Sequence, residues 1–223
     1  MNNHDEERTI KLKKLYTGAV TDILDSLGEG FRNQTLPNNL RPLESKMKVA
    51  GPVYTVRGAK RFFDDGVDPR YKQMDMLDGV FPNCVIVMDS GDEKNAAHWG
   101  ELMSKTSLEK GAVGAVINGG IRDTHQIIDE HKFPVFACYH SPLTAVFRYN
   151  IVDYNKPIVI GSVNINPGDY ILGDIDGVVC IPNKVIDEVI NQASIVKEKE
   201  DIVRKKLSNG ENIRNLFEKY KVF

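Results

Sequence analysis

The chain has 223 residues, 41% of them hydrophobic, which is enough for one sizeable core, so we expect a single domain over residues 1–223. Its 29 basic and 31 acidic residues leave a formal net charge of -2, which excludes a global positive field that would draw it to nucleic acid or an anionic membrane. The sequence has no apolar leader, no apolar run near the roughly 18 residues of a membrane span, and no CxxC pair among its three cysteines. We therefore expect a cytoplasmic protein with reduced thiols and without nucleic-acid or membrane partners.

The N-terminal part is predicted to begin with helices and to continue into a strand. Apolar residues recur in a helical rhythm over Asp5–Leu27, with Thr17 as a candidate N-cap and Gly28 as a stop, which predicts two short helices or one broken helix. The β-branched run at 53–56 predicts a strand. The polar stretch that follows, up to Arg70, predicts an exposed loop.

The middle of the chain alternates strands with short helices. Apolar runs predict strands at 84–88, 113–117 and 134–138, and helices are predicted at 100–110 and 124–131. This alternation is typical of βαβ units, in which the strands pair in parallel.

The last third has a different rhythm. Short apolar runs after Pro157 are separated by the turn signals Asn-Pro-Gly-Asp at 166–169 and Asp-Gly at 176–177, which predict antiparallel strands. Asp174 and Asp176 resemble part of a calcium loop, but the closing glutamate is missing, so a turn is favoured. With a helical tail over 183–220, the fold class is α/β, with a parallel βαβ sheet, a second antiparallel sheet and a C-terminal helix.

The residues from Gly100 to Asp123 form the candidate functional centre. The helix at 100–110 should begin beyond the carboxyl end of strand 84–88, the edge at which open α/β sheets bind ligands. Its first free N–H groups, those of Leu102 and Met103, can face an anion with the helix dipole behind them.

The next strand ends in a glycine pair followed by a cation and an anion. Gly119-Gly120 is interpreted as a sharp turn that delivers Arg122 and Asp123 to the same edge. A guanidinium binds an anionic substrate and a carboxylate ligates Mg²⁺ or Mn²⁺, while Glu101 can hold metal-bound waters. The same residues also fit a purely structural alternative. In it, the glycines form a simple turn, Arg122 and Asp123 form a surface ion pair, and Glu101 is an ordinary acid of the first helical turn.

Four segments carry a resemblance that covers most of the chain: GPVYTVRG at 51–58, WGELMSKTSLEKGAVGAVINGGIRD at 99–123, FPVFA at 133–137 and GDYILGDIDGVVCIP at 168–182. The sequence resembles the family that joins the 4-hydroxy-4-methyl-2-oxoglutarate aldolases to the regulator of ribonuclease activity A (RraA-like) proteins. The resemblance implies a swivelling β/β/α three-layer fold and a homotrimer, or a hexamer of two trimers, with active sites between subunits. It also implies a divalent metal, class II-type cleavage that releases pyruvate, and oxaloacetate decarboxylation.

The resemblance also implies roles for individual residues. Asp123 matches the direct metal ligand, Arg122 matches the residue that meets the substrate's oxygens, and Glu101 matches an acid that contacts the metal through water. The carboxylate-binding helix start corresponds to Gly100, Leu102 and Met103. An acid from the C-terminal region of a neighbouring subunit corresponds best to Glu200, although Glu198 is close by in the sequence.

Several features leave the chemistry open. Asn118 stands where the family pattern has aspartate, and Cys138-Tyr139 stands where it has Arg-Gly, which puts substrate identity in question. None of the three predicted parallel strands contains a lysine for a Schiff base, and the general base is unassigned. The nearest histidine, His98, is expected to be a surface or packing residue, as are His125, His131 and His140. The resemblance also reaches members that inhibit a ribonuclease by protein contact, so a non-catalytic protein that binds a ribonuclease is the alternative function, and fold alone does not choose between the two.

Overall fold

A nine-stranded mixed sheet with helices packed against it organises the part of the chain that the structure describes. That part comprises residues 3–63, 66–91 and 93–222 of the computed structural model. In chain order the elements are α1 (Asn3–Lys13), α2 (Thr17–Ser26), β1 (Arg41–Pro42), β2 (Val49–Lys60), α3 (Arg70–Asp78), β3 (Val85–Asp89), β4 (Ala97–Trp99), α4 (Glu101–Glu109), β5 (Gly114–Ile121), a π-helix (Gln126–His131), β6 (Val135–His140), β7 (Tyr149–Tyr154), β8 (Ile158–Ile160), β9 (Val163–Ile165), β10 (Tyr170–Asp174), β11 (Gly177–Ile181), α5 (Ile186–Ser208) and α6 (Ile213–Tyr220).

The sheet has a parallel centre and antiparallel flanks. Its strand order is β1-β6-β5-β3-β2-β10-β11, with β4 beside the end of β5 and β7 beside β2. The pairs β2–β3, β3–β5, β4–β5 and β5–β6 are parallel, and the others are antiparallel. The predicted parallel and antiparallel parts are therefore confirmed, and they share β2, which pairs with β10 along its first half and with β3 along its second.

Both faces of the parallel centre are covered. In β3, Ile86 and Met88 point into a cluster with residues of α3, α4 and the π-helix, whereas Val85 and Val87 point into a cluster with the β8–β9 hairpin. A third cluster packs α1, α2 and α5 against β10 and β11. Burial on both sides explains the continuous apolar runs of the central strands.

The structure corrects one detail of the N-terminal prediction. Two helices are present, but the N-cap of α2 is Tyr16, and Thr17 is the first helical residue. Thr17 does not cap its own helix because its N–H and its hydroxyl both donate to Asp174, at 2.8 and 2.7 Å. Asp174 therefore caps α2 from the turn between β10 and β11, where the turn prediction for Asp174 and Asp176 is confirmed.

Other differences concern elements with few buried residues. The predicted loop up to Arg70 is irregular at 61–63 and 66–69, whereas positions 64 and 65 lie outside the described residues. The helix α3 follows and was not predicted, because only Met76 and Leu77 in it are buried. The helical tail is divided by a break at 209–212 into α5 and α6.

In the described part of the chain, no helix combines the length and the apolar character that crossing a bilayer requires.

Candidate functional site

Six of the residues singled out in the sequence line one cleft of about 450 Å³: Gly100, Glu101, Leu102, Met103, Arg122 and Asp123. The other walls come from α3 and from the segment 144–151 that leads into β7. The cleft lies beyond the carboxyl ends of β4 and β5, as expected for an open α/β sheet.

The short strand β4, which was not predicted from the sequence, places the start of α4 next to the Arg122–Asp123 pair. Trp99 of β4 lies opposite Ile121 of β5, and the N–H of Arg122 donates to the Trp99 carbonyl at 3.1 Å. The indole of Trp99 is buried and its N–H donates to Ser104 Oγ of α4 at 2.8 Å. Because β4 and β5 end at the same level, the start of α4 and the Arg122–Asp123 pair emerge side by side.

The carboxylate of Asp123 faces the N-terminus of α4. Asp123 Oδ2 lies 3.4 Å from the backbone nitrogen of Glu101 and 3.5 Å from Arg122 Nε. A Cβ at position 100 would come within 2.9 Å of the same oxygen, so Gly100 is what allows this approach. The positive end of the helix dipole and a guanidinium therefore both face the Asp123 carboxylate.

The start of α4 offers further donors to an anion. The first intrahelical hydrogen bond runs from the N–H of Ser104 to the carbonyl of Gly100 at 3.1 Å. The N–H groups of Leu102 and Met103 precede it and have no intrahelical acceptor. Next to them, the Arg122 side chain is 44% exposed in the cleft. Donors of these kinds suit a small carboxylate.

The carboxylates of the cleft make a partial donor set for a metal ion. Among residues 3–63, 66–91 and 93–222, no group of three or more His, Cys, Asp or Glu side chains is placed to hold a metal. Asp123 and Glu101 nevertheless supply hard oxygen donors, which suit Mg²⁺ and Mn²⁺, and Mg²⁺ usually keeps several water ligands. The donor chemistry therefore fits a divalent cation whose remaining ligands are water, substrate or another subunit.

The interpretation of Gly119 and Gly120 as a turn is wrong. β5 continues through both glycines instead of ending at Ile117. A Cβ on Gly119 would meet His98 Nδ1 at 2.5 Å, and one on Gly120 would meet the Ala96 carbonyl at 2.4 Å. The two glycines are needed because the segment leading into β4 packs directly against the backbone of β5.

His98 is a packing residue, as expected. Its Nδ1 accepts the N–H of Gly120 at 3.0 Å, so the ring proton is assigned to Nε2 and the ring is neutral. Nε2 lies 3.0 Å from Glu93 Oε2, at an angle too poor for a good hydrogen bond, and both side chains are buried. Burial lowers the pKa of His98, while Glu93 acts in the opposite direction. His98 lines the cleft, but Nδ1 already accepts the Gly120 N–H and Nε2 carries the ring proton, so the neutral ring has no free lone pair to take a proton from a ligand.

The departures from the family pattern lie behind the cleft and not in its lining. Asn118 Nδ2 donates to Asp89 Oδ1 at 2.9 Å, and Cys138 Sγ lies 3.5 Å from Asn118 Oδ1. Tyr139 donates to the carbonyl of Ala96 at 3.3 Å. Aspartate at position 118 would place a second carboxylate against Asp89, so the asparagine amide suits this neighbour.

Glu200 does not lie in the cleft of its own chain. It is on α5, where it accepts hydrogen bonds from the Tyr16 hydroxyl and, at 2.8 Å, from Arg204. The contribution of Glu200 to a neighbouring subunit stays a prediction.

Three residues of this region were missed or given no role by sequence reasoning. His131 Nε2 lies 2.6 Å from Glu101 Oε1, although no motif joins these positions in the sequence. Arg70 and Gln73 line the cleft from α3, the helix that the sequence did not predict. Arg70 is paired with Asp68, which holds its Nε at 2.9 Å.

Comparison with known proteins identifies the family. A family described as RraA-like: Aldolase/RraA matches residues 20–180. This chain belongs to that family. Among RraA-like relatives, it is 26% identical over 162 residues to the 4-hydroxy-4-methyl-2-oxoglutarate aldolase of Thermus thermophilus, which covers 73% of this chain and 91% of that protein.

Two further relatives limit which properties can be transferred to this chain. Protein DlpA of Legionella pneumophila subsp. pneumophila is 29% identical over 204 residues, which is 92% of this chain, but the chain spans only 32% of DlpA. The solved structure of Streptomyces coelicolor RraAS2, described as an unusual member of the RNase ES inhibitor RraA family, has a TM-score of 0.79 at 21% identity and covers 92% of this chain and 98% of that one. This likeness confirms the RraA-like α/β fold.

Proposed function

We propose that this RraA-like chain is a divalent-metal-dependent carbon–carbon lyase of the class II aldolase type. Its substrates are 4-hydroxy-2-oxo acids such as 4-hydroxy-4-methyl-2-oxoglutarate, which it cleaves to pyruvate, and it also decarboxylates oxaloacetate. The observation that carries the proposal is the meeting of Asp123, Arg122, Glu101 and the free N–H groups of α4 in one cleft.

Both reactions leave negative charge on what becomes pyruvate enolate, and the cleft is built from groups that stabilise such charge. The Leu102 and Met103 N–H groups bind the substrate carboxylate, and Arg122 places a positive charge beside the reacting oxygens. Asp123 would hold Mg²⁺ or Mn²⁺ directly and Glu101 would hold it through water. When bound, the ion supplies a Lewis acid for the developing enolate.

Pyruvate release from 4-hydroxy-4-methyl-2-oxoglutarate and from oxaloacetate, with Mg²⁺ or Mn²⁺ and with EDTA, tests this proposal. We expect EDTA to abolish activity and Asp123→Asn to lower kcat/KM by about 100-fold or more, because several kcal/mol of charge stabilisation are lost. Asp129→Asn is the matched control, since the Asp129 carboxylate is 59% exposed and its partner among the described residues is the exposed His125. Full activity in EDTA, or in Asp123→Asn, would refute the proposed site.

A second candidate function is the binding of a ribonuclease without catalysis. It is favoured by large apolar side chains that are exposed near the cleft, since such surfaces are typical of protein contacts. Leu102 in the cleft is 75% exposed, and Phe62 and Phe147, on segments joined by a backbone hydrogen bond between Arg61 and Arg148, are 82% and 72% exposed. Capture of a ribonuclease by a chain that releases no pyruvate would favour this function over the lyase.

A further inference from the structure

The segment from Asp123 to His131 holds Glu101 at two points. At its start, Asp123 Oδ2 lies 3.4 Å from the Glu101 backbone nitrogen, and at its end His131 Nε2 lies 2.6 Å from Glu101 Oε1. The side chains of His131 and Glu101 are only 10% and 24% exposed. One carboxylate oxygen of Glu101 is therefore occupied by His131, whereas no hydrogen bond from the described residues reaches Oε2, and Glu101 lines the cleft.

The π-helix determines where His131 lies. Residues 126–131 form a π-helix, a rare conformation that is frequent at functional sites, and Lys132 ends it in the left-handed region with a φ of 51°. Ile127 within the π-helix and Phe133 just after it are fully buried, and the Phe133 N–H donates to the Ile127 carbonyl at 3.3 Å. The wide turn and its buried anchors together fix the direction of the His131 ring.

A second histidine of the same segment provides an internal comparison. His125 also contacts a carboxylate, that of Asp129, but the two side chains are 90% and 59% exposed. An exposed polar contact of this kind contributes little and is easily lost to water. The His131–Glu101 contact is largely shielded from water and involves a residue that lines the cleft, so it restricts the Glu101 side chain much more than the His125–Asp129 contact restricts Asp129.

We infer that His131 is a positioning residue that fixes the Glu101 carboxylate, with Oε1 bonded to His131 and Oε2 directed to a metal-bound water or to substrate. The inference rests on the proposed function of the cleft. Without His131, the Glu101 carboxylate in the first turn of α4 would have no other side-chain partner among the described residues, and it would sample several rotamers. Partners that orient a metal's carboxylates commonly account for 10- to 100-fold in metal affinity or activity.

The test compares His131→Ala, His131→Gln and the matched control His125→Ala. Two experiments are made on each variant. Electron paramagnetic resonance gives the Mn²⁺ dissociation constant, and steady-state kinetics of pyruvate release give kcat and KM. We expect His131→Ala to weaken Mn²⁺ binding or lower kcat by about 10-fold or more, with little change in KM. His131→Gln should recover most of the loss because its amide N–H can donate to Glu101, and His125→Ala should match the wild type.

The outcomes separate this inference from the proposed function. If the wild type releases no pyruvate, the lyase proposal fails, and the Mn²⁺ affinities alone decide the role of His131. Equal Mn²⁺ affinity and equal kcat in His131→Ala and His125→Ala would overturn the inference. If His131→Ala does not fold, side-chain ¹⁵N spectra of the wild type and of Glu101→Ala decide it, because Nε2 of His131 must shift while that of His125 does not.

Discussion

Asp123 adopts a backbone conformation that few residues other than glycine accept. Its φ of 56° is in the left-handed region, which aspartate tolerates better than most residues and which is often found at functional sites. Because the chain turns here directly after β5, the carboxylate points back over Gly100 towards α4.

Gly119 and Gly120 act at the same scale. Because neither has a Cβ, His98 and the carbonyl of Ala96 can lie directly against β5, and a Cβ at either position would push this neighbouring segment away.

The buried His98 predicts how stability depends on pH. Its pKa in the folded state lies below the ordinary value of about 6.5, so the unfolded chain binds more protons below that pH. The free energy of unfolding should therefore fall as pH drops below about 6.5, by at most about 1.4 kcal/mol per pH unit from this group. The groups around His98 are Glu93, Asp89 and the ring of Tyr149.

Urea unfolding at about pH 7.5 and about pH 5.5 measures this dependence. The loss of stability at the lower pH should be smaller in His98→Gln than in the wild type, whereas the exposed His125, changed to Gln, should leave it unaltered. Equal losses in the wild type and in His98→Gln would show that His98 does not contribute.

At the scale of elements, two short segments make the site. β4 has three residues and yet aligns the start of α4 with the end of β5. The six-residue π-helix brings His131 to Glu101. β4 has no periodic pattern of its own because it is defined by its pairing with β5. A helix was predicted at 124–131, but its π-helical form and the contact of its last residue with Glu101 were not.

The N-terminus of α2 gives a prediction about stability at this scale. Asp174 accepts hydrogen bonds from the N–H and the hydroxyl of Thr17, so it replaces a conventional N-cap. Asp174→Ala should lower the free energy of unfolding by about 1 to 2 kcal/mol, the typical cost of losing a cap. Asp176→Ala, in the same turn but with an exposed side chain, should change it by less than about 0.5 kcal/mol. Urea unfolding of both variants measures the difference, and equal effects would contradict the capping role.

At the scale of the whole molecule, the position of Glu200 leads to a prediction about assembly. We propose a homotrimer, or a hexamer of two trimers, in which Glu200 serves the cleft of a neighbouring copy. Within its own chain Glu200 is bound to Tyr16 and Arg204, outside the cleft, so it can act on a cleft only across an interface.

Subunit mixing tests this arrangement. Asp123→Asn and Glu200→Gln should each be inactive alone, but after random exchange of equal amounts about a quarter of the sites should combine one intact Asp123 with one intact Glu200 from a neighbour. Pyruvate release should therefore return in the mixture, and light scattering should report a trimer or hexamer. Glu198→Gln is the control and should stay active. A monomer, or a mixture without activity, would contradict the prediction.

Sequence alone determined much of this protein. Apolar runs located the central strands, and the motif around Arg122 and Asp123 located the cleft, because runs of buried residues and short motifs are local properties. Only the tertiary structure decided the pairing of β4 with β5, the capping of α2 by Asp174, the close-contact role of Gly119-Gly120 and the contact of His131 with Glu101. Each of these depends on the distance between residues that lie far apart in the chain, which composition and periodicity do not contain.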